Sequence, residues 1–360
     1  MISGPQIHTK THTLRFTFDA GTSRGVLKEK QSHFLGLQDP KNQEVWGLGE
    51  AGPLAGLSPE FKTDVSQSFQ DYDWQALPQP ENLEALEAYL SQEPIPEASF
   101  QMAYEMAWRD YLHHGNGTYF PNEFTQGIKS IPINGLVWMN QIPAMRAELQ
   151  RKLAADYTCI KLKIGALDFK AELALIEELQ DQVQAGQLSI RVDANGAFDA
   201  ASAPKKLEAL AALGVHSIEQ PLAQGQWKAM GELIRAKILP IALDEELIGH
   251  RRPDQREALL DALMPEYLIL KPSLLGGFQS CKAWMALAKE RGIDWWMTSA
   301  LESNIGLQAI GQFAADRPLH LPQGLGTGAL YHNNLASGLY IENAALHFNP
   351  NIIRVNPFLT

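Results

Sequence analysis

Cysteine is almost missing from this chain: Cys159 and Cys281 are the two in 360 residues. The first falls in a strand-like apolar run and the second in a helix-like amphipathic stretch, and neither has neighbours at zinc-ligand spacing. A disulfide scaffold and a structural zinc site are excluded on that count, and two reduced, buried thiols are expected. Long apolar runs are missing too; no stretch reaches the ~18 residues that a membrane-spanning helix requires. The opening residues MISGPQIHTKTHTLRF lack a basic start followed by an apolar core, so the expectation is no secretory leader and a cytoplasmic location. Positive charge is scarce, with 30 Lys and Arg against 41 Asp and Glu and a net charge of −11. Nucleic acid and anionic membrane are poor partners for such a surface. No low-complexity tract or residue-level repeat is visible.

What is present is an alternation. From about residue 131, short apolar runs take turns with amphipathic stretches. The runs are IPINGLVW (131–138), YTCIKLKIG (157–165), LSIRVDANG (188–196), VHSIEQP (215–221), LPIALDEE (239–246), YLILKPS (267–273) and GIDWWMTSA (292–300). Between them, DFKAELALIEELQDQVQAG offers Asp168 as a helix N-cap and places Leu173, Ile176 and Val183 on one stripe. Repeated βα units of this length imply a parallel sheet, and seven of them favour closure into a modified (β/α) TIM-type barrel. Residues 1–127 read differently. HTLRFTFDA, KQSHFLGLQD and EVWGLGEAGP suggest an antiparallel meander, and ENLEALEAYLSQ and SFQMAYEMAWRDYLHHG suggest helices. The expected plan is an N-terminal α+β capping domain (1–127), the barrel (128–328), and a segment (329–360) that either closes the barrel or returns to the cap.

The chemistry is suggested by where polar residues interrupt these runs. CIKLKIG is a strand fit for burial, yet Lys161 and Lys163 share one of its faces. Asp193 ends IRVD, Glu219 ends SIE, Asp244 ends IALD, Lys271 ends LILK and Ser299 ends WWMTS, each 25 to 30 residues after the one before. That interval is one βα unit, so all of them should emerge at the C-terminal rim, where barrels of this kind hold their active sites. Three carboxylates on adjacent strands would repel one another without a cation between them. An all-oxygen donor set suits a hard divalent ion, Mg²⁺ or else Mn²⁺. Lysine acts as a base only when neutral, and a metal plus the ammonium groups of Lys161 and Lys271 favour that form of Lys163. Such a site can take a proton from carbon next to a carboxylate. Glu245 competes with Asp244 as the fifth-strand ligand. The ten histidines do not fall at strand ends and read as surface or packing residues, and Trp295 and Trp296 read as barrel wall.

The ordered set K-x-K, D-x-N, E-Q-P, L-D-E and K-P-x-x-x-G-G resembles the enolase superfamily in its muconate lactonizing branch, and within it the o-succinylbenzoate synthases. WGLGEAGPLAGLSPE (46–60) is similar to an early segment of that family, and TSRGVLKEK (22–30) sits where its substrate-covering loop lies. The resemblance implies syn-dehydration of 2-succinyl-6-hydroxy-2,4-cyclohexadiene-1-carboxylate to 2-succinylbenzoate, in menaquinone biosynthesis. Lys163 would be the base, Lys161 its tuning neighbour and Lys271 a charged stabiliser across the site. Asp193, Glu219 and Asp244 would hold the metal. Ser299, Asn195, Arg191, Gly324 and Arg24 would contact a small carboxylate substrate. Dipeptide epimerases of this branch carry an acidic pair at the eighth strand, whereas this chain has GLGTG there. A racemase of N-acylated amino acids, which lacks a free amine, stays open, as does the choice between monomer and homodimer.

Overall fold

Strand-forming sequence opens the chain. In a computed structural model that describes residues 4–22, 25–182 and 186–359, β1 (Gln6–Thr22), β2 (Gly25–Gln38) and β3 (Trp46–Ala51) form an antiparallel sheet in chain order. β1 and β2 pair from Gln6↔Gln38 to Thr22↔Gly25, with a break in register between Arg15 and Ala20. The expected covering loop is therefore largely a β-hairpin, with residues 25–30 in strand. Helices α1 (Val65–Asp71), α2 (Leu83–Leu90) and α3 (Ala98–Leu112) follow. Asp64 caps α1 by accepting from the Gln67 amide, and Asn82 caps α2 by accepting from that of Ala85. Helix α1 and the single helical turns at Pro59–Lys62 and Trp74–Ala76 were not anticipated from periodicity, being too short to show one. Leu35 and Leu37 of β2 pack with Val65, Phe69, Leu86 and Phe100 in a cluster of their own, while Phe34 faces the larger core. The close approach of β3 to α3 depends on Gly49, where an added Cβ would stand 1.9 Å from the carbonyl oxygen of Ala103.

The larger unit begins with β4 (Ile131–Pro132) and β5 (Gly135–Val137). It continues through α4 (Ile142–Ala154), β6 (Cys159–Lys163), α5 (Phe169–Asp181), β7 (Ser189–Asp193), α6 (Ala203–Ala212) and β8 (Ser217–Glu219). Then come α7 (Trp227–Ala236), β9 (Ile241–Leu243), α8 (Pro253–Leu263), β10 (Tyr267–Leu270), α9 (Pro272–Leu275), α10 (Gly277–Glu290), β11 (Asp294–Met297) and α11 (Asn304–Ala315). Among the described residues β5 to β11 make a parallel seven-stranded sheet in chain order. Ile160, Leu162, Ile190, Val192, Ile218, Ile241 and Leu243 point outward beneath the helices and are essentially fully buried, which is why these strands carry near-continuous apolar runs. The ring closes at Gln323 and Gly324, which bridge Ile133 on one side and Thr298 on the other. The Gln323 amide donates to Pro132 at 2.9 Å and the Gly324 amide to Met297 at 2.8 Å.

Residues 323 and 324 thus act as the eighth stave, and the segment after 329 does something else. β12 (Leu339–Glu342) and β13 (Ala345–Phe348) form a hairpin whose second strand pairs with β4. The tail then returns to the first module: Phe358 stacks on Trp46 with ring centroids 5.2 Å apart, and Arg354 pairs with the buried Asp110.

Candidate active site

Register decides which side chains meet. Lys163 lies opposite Asp193, and Asp193 opposite Glu219, across β6, β7 and β8. The order of staves then brings in Asp244 and Lys271 from the ends of β9 and β10. Lys161 Nζ lies 2.5 Å from Glu219 Oε2 and 3.0 Å from Asp193 Oδ2. Lys163 Nζ donates to Asp193 Oδ2 at 2.9 Å and to Asn195 Oδ1 at 2.7 Å. Lys271 Nζ pairs with Asp244 Oδ2 and stands 4.0 Å from Glu219 Oε1. Local geometry holds the strand ends in place. Asn195 takes a left-handed backbone (φ 45°), which asparagine tolerates better than most residues, and its amide donates to Asp193 Oδ1 at 3.0 Å. Gln220 (φ 39°) accepts from the amides of Asp244 and Glu246, both at 3.2 Å.

Electrostatics separates the members. Burial pushes the Lys161 ammonium down, but Asp193, Glu219 and Asp244 together outweigh it and hold it well above the ordinary lysine range. Lys271 behaves likewise, burial being overcome by Asp244 and Glu219. Burial would raise Asp193, yet Lys161, Lys163 and Lys271 hold it far below the usual carboxylate range. Glu219 goes the other way: burial and then Asp193 push it up to about 8. Asp193, Glu219 and Asp244 are 1%, 2% and 3% exposed, so their charges must be met from within.

The lysines line a cavity of about 230 Å³ roofed by Gly25, Val26 and Leu27 of the hairpin. Asn195, Ser299 and Gly324 line it as well, so these expected contacts converge with the lysines. Ser299 has its hydroxyl proton committed to Glu302 Oε2 at 2.6 Å and accepts from the Leu301 amide at 3.0 Å. It can offer a substrate only an acceptor while that bond lasts. Arg191 shares a strand face with Asp193 but lies two residues deeper. Its guanidinium covers the Trp296 ring at 4.0 Å and donates to the Pro322 carbonyl at 2.8 Å, and it does not line the cavity. Its place is in the barrel interior, beneath the cavity lining. Arg24 lies outside the described residues.

Among the lining residues not anticipated from the sequence are one aromatic and three neutral polar side chains. Trp138 places its ring 5.9 Å from Lys163 Nζ. It ends the first apolar run 25 residues before Lys163, so the same βα interval signalled it. Asn134 Oδ1, Thr298 Oγ1 and Thr327 Oγ1 are buried without a hydrogen-bond partner among the described residues; neutral loop residues carry no comparable signal.

Among the described residues no three acidic, histidine or cysteine side chains, as they lie, form a group that could hold one metal ion. The ammonium groups of Lys161 and Lys271 take up carboxylate oxygens that an ion would use. The donor chemistry nevertheless fits a hard divalent cation. Three buried carboxylates project from successive staves, and among the described residues Glu219 Oε1 has no hydrogen-bond partner, while burial and the neighbouring Asp193 push its carboxyl toward the protonated form.

A family model described as enolase C-terminal domain-like matches residues 144–348. An o-succinylbenzoate synthase from Desulfotalea psychrophila is 42% identical over 96% of this chain and 99% of its own length. The chain belongs to the enolase superfamily. The crystal structure of MenC from the same organism, at 39% identity, superposes with a TM-score of 0.81 over 96% of this chain and 100% of that one. A dipeptide epimerase from Enterococcus faecalis, solved with Mg and the dipeptide L-Leu-L-Tyr, also reaches a TM-score of 0.81, over 96% of this chain and 97% of its own. Its 15% identity shows a shared fold alone. Enolase-superfamily sites combine a lysine or histidine base with divalent metal, a property of the superfamily at large and not a result of this structure. No described helix is long and apolar enough to cross a membrane.

Proposed function

We propose that the chain is an o-succinylbenzoate synthase, a hydro-lyase that converts 2-succinyl-6-hydroxy-2,4-cyclohexadiene-1-carboxylate to 2-succinylbenzoate in menaquinone biosynthesis, in the cytoplasm. The observation that carries the reading is Lys163, facing the cavity from β6 beside buried Asp193, with Lys271 lining the same cavity from the far side. The relative 42% identical over nearly the whole chain supports the same activity.

Asp193, Glu219 and Asp244 would hold the metal, with Mg²⁺ the first choice and Mn²⁺ the second. When bound, the ion supplies positive charge next to the substrate carboxylate, where negative charge grows as the proton leaves. Lys163 takes the proton from the carbon bearing that carboxylate. Acting from the same face, Lys163 then passes the proton to the 6-hydroxyl oxygen as its bond to carbon breaks, so water departs syn and the ring becomes aromatic. Lys271 stays charged, held so by Asp244, and stabilises the anionic ring from its side. Lys161 is bound to Glu219 and Asp193 and held protonated, so it serves as a fixed cation and not as a second base. The hairpin and the apolar Leu54 and Leu57 shield the site from bulk water.

The test is the ultraviolet signal of aromatic product formation with purified protein and Mg²⁺, alongside N-succinyl amino acids in D₂O. Rapid dehydration is expected. Exchange and racemisation of the amino acids with no dehydration would replace this reading with that of an N-acylamino acid racemase, which would use Lys163 and Lys271 on opposite faces of one carbon.

A further inference from the structure

Asn195, expected as a substrate contact, has its side chain occupied on both ends. Its Oδ1 accepts from Lys163 Nζ at 2.7 Å, and its Nδ2 donates to Glu245 Oε1 at 3.1 Å. Its backbone is tied to Asp193 Oδ1 at 3.0 Å. Asn195 is 8% exposed and Glu245 4%. Asp193 alone does not fix Lys163, because the oxygen that receives Lys163 at 2.9 Å also receives Lys161 at 3.0 Å. The shorter bond of Lys163, to a partner that accepts from no other lysine, is the one to Asn195.

We propose that Asn195 and Glu245 are positioning residues for Lys163: a Lys163–Asn195–Glu245 chain, running from β6 past the end of β7 to the turn after β9, aims the Lys163 amine into the cavity. An amide suits the middle place. It presents a neutral oxygen to the amine and, on the other side, two N–H donors to a carboxylate, a pairing that neither aspartate nor serine reproduces. The left-handed backbone of Asn195 turns the side chain back across the strand ends. Proton transfer depends steeply on the donor–acceptor line, so a base that loses this support should lose rate and not substrate affinity. The inference rests on Lys163 as the proton acceptor.

Asn195→Gly relaxes the backbone and removes both side-chain bonds. Steady-state kinetics should show kcat lower by about 10- to 100-fold, with KM, product affinity and metal affinity within about twofold of the parent. Glu245→Ala should lower kcat in the same sense, and the double variant should be no slower than Asn195→Gly alone, because the two act in series. Should the glycine variant misfold, Asn195→Ser, too short to span both partners, should give the same split. A raised KM with kcat retained would return Asn195 to the role of substrate contact and overturn the proposal. So would losses that multiply in the double variant. Lys163→Ala that kept turnover would remove the reading of Lys163 as base. An inactive Lys163→Ala beside an unaffected Asn195→Gly would remove the positioning chain alone.

Discussion

The two sides of the cavity are built on opposite plans. From the second stave to the sixth the wall is charged and internally paired: Lys161, Lys163 and Lys271 each meet a carboxylate from a neighbouring strand. From the seventh stave round to the first it is neutral. Gly324 and Gly326 leave room there, and Asn134, Thr298 and Thr327 have side-chain oxygens with no partner among the described residues. A buried, charged group is costly unless its partners are in place, so the reactive side has to be assembled before substrate arrives. A neutral hydroxyl costs less to leave waiting. On the proposed reading chemistry and recognition would thereby be separated, and the wall that can vary without unbalancing charge is the neutral one.

The contrast is broken most sharply at the base. Lys163→Ala should lower turnover by about 10²- to 10⁴-fold, the range attributed to general acid–base catalysis, while calorimetry finds metal binding intact. Unchanged turnover would empty the charged side of its function. Next comes Glu219→Gln. Loss of an outer partner costs about 10- to 100-fold in metal affinity, and removing a ligand should exceed that, as read by titration with Mn²⁺. On the neutral side, Thr327→Val should raise KM by about 3- to 10-fold with kcat held, the size of one hydrogen bond of about 0.5–1.5 kcal/mol. A fall in kcat instead would show that the two walls are not separate. A proton count probes the charged side from another direction. With Glu219 pushed up to about 8, the metal-free carboxyl holds its proton below that pH and must release it to ligate. Apparent metal affinity should therefore climb from pH 6 to about 8 and then level off, with proton release at pH 7 visible as a buffer-dependent enthalpy.

The regular 25- to 30-residue spacing of Lys163, Asp193, Glu219, Asp244, Lys271 and Ser299 made the ring of strand ends legible before any coordinates. The βα period ties each to a successive stave, and closure ties the staves to one rim. Trp138 obeyed the same interval and was overlooked because a tryptophan ending an apolar run reads as packing. Arg191 was misplaced for the reverse reason: alternation puts it on the face of Asp193, but depth along the stave, two residues further in, sends it to Trp296 and Pro322. The hairpin over the cavity was read as a loop because GVLKEK, with its charged Lys28, Glu29 and Lys30, conceals a pairing with β1 that is set from outside the segment.

Periodicity and the side-chain chemistry of a few interrupted strands were enough, on the bare chain, to define a barrel with three acids and three amines around its mouth, because both follow from neighbours along the backbone. Which amine would be free to work and which is locked could not be read that way. Lys161 and Lys163 differ by two positions on one strand and share one Asp193 oxygen, yet the first is also bound to Glu219 and the second leans on Asn195. That difference is set by residues 30 to 60 positions away, brought within hydrogen-bond reach only when the staves close.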